Sequence, residues 1–262
     1  MEAELQVVDD VTEAWVASFV AACHHAVAAR GRFVVALAGG GTPLLGYRRL
    51  GERLDLPWER LWVTWGDERD VPLDHPDRNE RAAREAWLDH VPIPADQVLG
   101  WPRRDAPEAS AREHAERLRS ALGDPLELDL ALLGLGADGH TASLFPGTGA
   151  VAATGVTTVV RPDPAGPARL SLTANALSGA REAWVIVSGE AKRTALRRTL
   201  EAGLLEKHPR PGADPDALPL LAIRPRERLW LLADRVAASG GTASGGTASG
   251  GGGDPPAAPP GG

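Results

Sequence analysis

Arg32-Phe33-Val34-Val35-Ala36-Leu37-Ala38-Gly39-Gly40-Gly41-Thr42-Pro43 is the stretch that decides the fold. Its first half is a short apolar run, the signature of a strand buried on both faces. Its second half is a glycine loop, and Pro43 stands where the first residue of a following helix would be. The same alternation continues in both directions. Val11 to Ala29 is Ala-rich and reads as a helix ended by Gly31. Leu61-Trp62-Val63-Thr64-Trp65 reads as a second strand ended by Gly66, and Asp77 to His90 and Pro107 to Leu122 read as helices. Leu128 to Leu133 is a third strand running into Gly134-Leu135-Gly136, and Arg169 to Thr173 looks extended. Glu182 to Val187 is another strand, leading through Ser188-Gly189-Glu190 into a helix from Ala191, and Leu229 to Leu232 closes the series. Apolar strands alternating with helices imply an α/β domain with a parallel sheet covered on both faces. Ligands of such sheets bind beyond the carboxyl ends of the strands. The loops Gly39–Thr42, Gly66–Pro72, Gly134–His140 and Ser188–Lys192 are therefore expected along one edge.

The 262 residues, 43% of them apolar, suffice for a single large core. The net charge of −7 gives no general attraction to nucleic acid or to an anionic membrane. An anionic ligand would need positive charge concentrated locally. Cys23 is the single cysteine, so no intramolecular disulfide can form, which fits a reducing compartment; among small apolar neighbours it reads as a buried helix residue. Met1-Glu2-Ala3-Glu4 has no basic segment and no apolar core of the signal-peptide kind, and no apolar run approaches the roughly 20 residues of a membrane helix. A cytoplasmic protein is expected, and with no long heptad pattern, a monomer. Residues 1–238 are read as the folded domain. Residues 239–262 are Gly, Ser, Thr, Ala and Pro with Asp254 as the one charge, and are read as a disordered tail.

Four loops carry the candidate chemistry. Gly39-Gly40-Gly41-Thr42 could cradle a phosphate at a helix N-terminus, or serve as a plain strand-to-helix turn. Gly66-Asp67-Glu68-Arg69-Asp70-Val71-Pro72 puts four charges after a buried strand. They are either solvated loop charges or a site in which Arg69 binds an oxyanion and Asp67 a hydroxyl or water. In Asp138-Gly139-His140 the carboxylate can hold the imidazole and stabilise its charged form, leaving His140 to take a proton from water. The other histidines, at positions 24, 25, 75, 90, 114 and 208, have no such setting. Lys192, one turn into a helix, can reach a phosphate at the sheet edge or lie solvated on the helix. Cysteine clusters and paired histidines of the zinc-binding kind are missing from the sequence, and neither a metal nor an organic cofactor is implied.

Taken together these segments resemble the 6-phosphogluconolactonase family, within the wider group that includes glucosamine-6-phosphate deaminase. The family's Ser-Gly-Gly-Ser-Thr-Pro corresponds to Ala38–Pro43, and its Gly-Asp-Glu-Arg block, followed by Val-Pro and Asp-His-Pro, matches Gly66–Arg69, Val71-Pro72 and Asp74-His75-Pro76. The signature Asp-Gly-His-Thr-Ala-Ser-Leu-Phe-Pro is present unchanged from Asp138 to Pro146, with Arg169–Thr173 and Gly189–Lys192 matching further blocks. The resemblance runs from about Val7 to Val236. It implies a Rossmann-like three-layer domain with a mostly parallel central sheet, and hydrolysis of 6-phosphoglucono-1,5-lactone, a phosphorylated sugar lactone, in the pentose phosphate pathway. It implies His140 as general base oriented by Asp138, with Arg69, Arg169 and Lys192 around the phosphate and Gly39, Gly40 and Thr42 as loop contacts. Two departures stand out. Ala38 and Gly41 replace both serines of the glycine loop, which leaves backbone N–H groups to do the binding. Arg78 replaces the serine before Asn79, adding a charge either near the site or on a helix surface.

Two other functions fit parts of the pattern. An aminosugar-phosphate deaminase shares the phosphate loop and the Asp-Gly-His, but its pattern continues with glycine or asparagine and ends in an acidic residue; here Thr141 to Pro146 contains no acid. A sugar-phosphate-binding regulator would need a nucleic-acid-binding segment, and the acidic balance and the lack of a helix-turn-helix before Val11 oppose it.

Overall fold

The computed structural model describes residues 1–53 and 55–239. The tail expectation for 239–262 falls, apart from Ser239, outside the described residues. Nine strands are found among those described: β1 (Glu2–Val8), β2 (Phe33–Leu37), β3 (Leu61–Trp65), β4 (Asp67–Arg69), β5 (Leu130–Gly134), β6 (Thr157–Val160), β7 (Arg169–Leu172), β8 (Glu182–Val187) and β9 (Arg228–Asp234). The helices are α1 (Val11–Arg30), α2 (Gly41–Gly51), α3 (Asn79–Ala86), α4 (Pro107–Leu122), α5 (Ala174–Ser178), α6 (Arg193–Glu201) and α7 (Arg235–Ala238). Six strands form one parallel sheet in the order β1-β9-β8-β5-β2-β3. Helices flank it, and the α/β class expected from the apolar runs is the one observed. Strands β2 and β5 are almost wholly buried, because helices cover both faces and leave no side for polar residues. Among the described residues no helix is long and apolar enough to cross a membrane.

The second sheet was not foreseen. Strands β4, β7 and β6 form a three-stranded antiparallel unit, with Asp67, Glu68 and Arg69 opposite Ser171, Leu170 and Arg169. Its strands are three or four residues long and polar or charged in part, so no apolar run marks them, although Arg169 to Thr173 reads as extended. Edge strand β1 was also missed, since Glu2-Ala3-Glu4-Leu5-Gln6-Val7-Val8 is only partly buried.

Three boundaries differ from expectation for local reasons. Helix α2 begins at Gly41, so Pro43 lies two residues inside the first turn. Leu44 N–H donates to the Gly40 carbonyl (3.1 Å) and closes that turn, where a proline without an N–H costs nothing. Helix α3 begins at Asn79, where the buried Glu68 carboxylate receives the N–H groups of Asn79 and Glu80 (2.8 Å each) and caps the helix from a neighbouring strand. The same helix stops at Ala86, short of the expected His90. Trp87 leaves helical geometry (φ −148°, ψ −65°) and buries its indole against Phe19, Tyr47 and Trp58.

That aromatic cluster joins α1, α2 and β2. Trp15, Phe19, Phe33 and Trp87 are all at most 1% exposed and meet mostly edge to face. Tyr47 adds a polar handle: its hydroxyl donates to the Ala38 carbonyl (2.7 Å) and accepts from the Ala38 N–H (3.1 Å). The start of the glycine loop is thus fixed to α2 by a buried tyrosine. Cys23 is buried on α1, as expected.

Candidate active site

The parallel sheet reverses its winding between β2 and β5. From β2 the chain steps to β3 on one side, and from β5 it steps to β8 and β9 on the other. The crevice beyond the carboxyl ends at such a reversal is the usual place for a ligand. A cavity of about 290 Å³ lies there, near the lower end of the range for small-molecule sites. All four strand-end loops contribute to its lining: Gly39 to Thr42, then Gly66, Asp67 and Arg69, then Gly134 to Gly136 with His140, then Ser188 and Lys192. Arg169 from β7 completes the set. Of the residues singled out in the sequence, Asp138 alone does not line the cavity. It sits behind His140.

The glycine loop offers backbone rather than side chains. Leu44 is the first residue to enter the helical ladder, so the N–H groups of Gly41 and Thr42 have no intrahelical acceptor. They lie at the positive end of the α2 dipole, beside the cavity. Gly39 must be glycine: a Cβ there would come within 2.1 Å of the Asn79 side-chain oxygen. Asn79 in turn donates to the Asp67 carbonyl (2.9 Å), linking the first loop to β4.

Asp138 and His140 form a tight pair. The carboxylate oxygen Oδ1 lies 2.6 Å from His140 Nδ1 and 3.1 Å from the His140 backbone nitrogen. Burial pushes the Asp138 carboxyl up, but the His140 N–H, the charge of the imidazole and its ring hydrogen bond outweigh it and hold the group below the usual carboxylate range. With Oδ1 as acceptor, Nδ1 carries a proton and Nε2 is left with its lone pair. Gly136 leaves room for this: a Cβ would sit 2.2 Å from His140 Nδ1 and 2.4 Å from Asp138 Oδ1. The turn that follows is held by the Thr141 hydroxyl on the Gly134 carbonyl (2.8 Å), and Ala142 takes the left-handed conformation at φ 47°. Such a conformation in a residue with a Cβ is strained and clusters at functional sites.

Arg69 and Arg169 stand directly opposite each other across β4 and β7. Like charges in that register repel. Burial and then the Arg69 charge lower the Arg169 guanidinium. Arg69 Nη1 donates to the Asp77 carbonyl (2.5 Å), whereas its Nε is buried without a partner among the described residues. Two facing cations, one with an idle buried donor, make a place for an anion. Lys192, in a single turn before α6, adds a third cation to the lining. The loop before it is fixed by Asp234, which accepts from the Ser188 hydroxyl (2.6 Å) and the Gly189 N–H (2.8 Å).

Two of the loop charges are engaged inside the protein. Asp67 Oδ2 accepts from the Ser143 hydroxyl (2.5 Å), which ties β4 to the histidine turn, and the residue still lines the cavity. Glu68 is fully buried and receives the N–H groups of Arg69, Asn79 and Glu80 (2.8 Å each). Burial pushes its carboxyl up to about 7, against those donors and the nearby Arg78. Arg78 lies neither at the site nor on a helix surface. It is 1% exposed, 3.9 Å from Glu68 and 3.3 Å from Glu80, and bonds the Val71 and Trp101 carbonyls. Sequence reasoning did not assign Asn79, Ser143 or Tyr47 a place in the site. Each acts through hydrogen bonds to another segment, Tyr47 to Ala38, Asn79 to Asp67 and Ser143 to Asp67, which no local spacing reveals.

Residues 7–230 match the family described as glucosamine-6-phosphate isomerases/6-phosphogluconolactonase. The chain belongs to this family. Among its relatives in the family, the 6-phosphogluconolactonase of Synechocystis sp. is 41% identical over 213 residues, covering 79% of this chain and 84% of that protein. The 6-phosphogluconolactonase of Mycobacterium tuberculosis is 37% identical over 232 residues, covering 84% and 90%. The crystal structure of 6-phosphogluconolactonase from Thermotoga maritima aligns with a TM-score of 0.79 at 26% identity, over 89% of this chain and 100% of that one. A monomeric glucosamine-6-phosphate deaminase aligns with a TM-score of 0.72 at 21% identity, so the fold is common to both chemistries of the family.

Proposed function

We propose that this chain hydrolyses 6-phospho-D-glucono-1,5-lactone to 6-phospho-D-gluconate, the lactone-opening step of the oxidative pentose phosphate pathway. The observation that carries the reading is the Asp138–His140 pair, 2.6 Å apart, at a cavity that also presents Arg69 and Arg169. The Synechocystis and Mycobacterium tuberculosis relatives named above are 6-phosphogluconolactonases, and the turn after His140 lacks the acidic residue of the deaminase pattern.

In the proposed reaction the phosphate is held by Arg69, Arg169 and Lys192, which sets the distance from the phosphate to the lactone carbonyl. His140 Nε2 removes a proton from water as the water oxygen bonds to the carbonyl carbon. Asp138 stabilises the imidazolium that results. Charge on the tetrahedral oxygen is met by N–H groups of the glycine loop, with Gly39, Gly40 and Thr42 as its contacts. The bond from carbon to the ring oxygen then breaks, and His140 returns its proton to that oxygen. The chain is taken to act as a monomer in the cytoplasm.

The test is to follow opening of 6-phosphogluconolactone against its spontaneous hydrolysis, with ammonia release from glucosamine 6-phosphate assayed in parallel. Enzyme-dependent lactone opening without ammonia release is the expected result. Ammonia release, or no rate above the spontaneous one, would overturn the reading.

A further inference from the structure

The ring of Phe145 lies against two groups that the proposed reaction uses for different purposes. Its centroid is 4.5 Å from that of the His140 imidazole, with the planes tilted by 32°. The Arg169 guanidinium carbon lies 5.8 Å from the same centroid, over the ring. Arg169 is cationic throughout the cycle, and His140 becomes cationic once it has taken the proton. The face of an aromatic ring carries negative charge density and attracts both.

The segment that carries the ring is held at its backbone. On one side Leu144 is fully buried, and Thr141 and Leu144 exchange backbone hydrogen bonds (3.4 and 3.0 Å). On the other, the Thr148 hydroxyl donates to the Phe145 carbonyl (2.7 Å). Asp216 accepts from the Gly147 N–H through its backbone carbonyl (3.0 Å) and from the Gly149 N–H through its carboxylate (2.9 Å). Phe145 thus projects its ring into the cavity lining from a pinned backbone.

We propose that Phe145 is a positioning and specificity-determining residue: its ring fixes His140 relative to Arg169, so that turnover depends on a lactone whose phosphate and carbonyl are spaced to match. The inference rests on the lactonase reading for its substrate. The contact between the ring and the imidazole is independent of that reading.

Wild type, Phe145→Leu and Phe145→Tyr are compared on 6-phosphogluconolactone and on unphosphorylated glucono-1,5-lactone across pH, with the His140 titration followed separately by NMR. Leucine keeps apolar cover but has no ring. In Phe145→Leu the preference for the phosphorylated lactone, as a ratio of kcat/KM values, falls about tenfold as the Arg169 grip loosens. The acid limb of kcat/KM and the NMR midpoint of His140 both move down by about half a pH unit, because the imidazolium has lost its aromatic partner. Phe145→Tyr restores both to within about twofold. An unchanged preference or an unmoved His140 midpoint in Phe145→Leu overturns the proposal. If wild type opens neither lactone, the lactonase reading fails and the specificity claim fails with it; the NMR midpoint then still decides whether the ring supports the imidazolium.

Discussion

The six parallel strands bury almost nothing but apolar side chains, whereas the three short antiparallel strands bring Asp67, Glu68, Arg69 and Arg169 inward. In the parallel sheet each residue's place follows from its hydrophobicity and from cover on both faces. In the antiparallel one, two arginines face each other and a carboxylate is taken out of water. Both arrangements oppose stability unless something offsets them. For Glu68 the offset lies within the protein, in three N–H donors and Arg78. For Arg69 and Arg169 we place it outside, in the phosphate of the substrate. On the proposed reading one sheet provides the frame, and the other holds charge for a ligand.

Substitutions should separate the two roles. The largest effect on turnover is expected at the turn between the sheets: His140→Ala should lower kcat about 10²–10⁴-fold with little change in Tm, since the side chain is about a third exposed. Retention of full activity in steady-state assays would remove His140 from the mechanism. In the parallel sheet the sign is reversed. Leu231→Ala, at a fully buried site in β9 away from the cavity, should cost about 2–5 kcal/mol in urea unfolding while leaving the KM of the folded fraction unchanged. In the antiparallel sheet Arg169→Ala should raise KM for the phosphorylated lactone about 10–100-fold, the worth of one charge-assisted contact, with Tm unchanged or slightly higher because Arg69 loses a repelling neighbour. A fall in Tm of several degrees would mean that Arg169 serves the frame.

The smallest effect concerns Glu68. Its folded-state carboxyl is raised from 4.5 to about 7, so between those values the folded chain binds more protons at this group than the unfolded chain does. Its contribution to stability is therefore present at pH 4.5 and below and is lost as pH rises toward 7. Glu68→Gln should flatten the fall in Tm over that window. An identical slope in the variant would show that Glu68 does not titrate there.

The parallel frame was legible in the sequence because its rule is local. Phe33–Leu37, Leu61–Trp65 and Glu182–Val187 announce themselves as apolar runs, and Pro107–Leu122 as a helix with proline at its start. The loops lie along one edge because parallel strands all end on the same side. Much of the site followed from that: eight of the candidate residues sit on those loops, with Asp138 beside His140, and Arg169 lies on β7. The antiparallel unit was not legible. Whether Asp67-Glu68-Arg69 is a solvated loop or a buried strand depends on Arg169 to Ser171, about a hundred residues later in the chain. The fate of Arg78 depends likewise on Glu68 and Trp101. Such pairings carry no period and no composition bias.

The central claim, that the antiparallel sheet stores its facing cations for the substrate's phosphate, is tested most directly by the Arg69→Ala/Arg169→Ala double variant. Its kcat/KM for 6-phosphogluconolactone is divided by that for glucono-1,5-lactone and compared with wild type. The account predicts that the wild-type preference for the phosphorylated lactone largely disappears while opening of the unphosphorylated lactone persists. A double variant that keeps the full preference would contradict it.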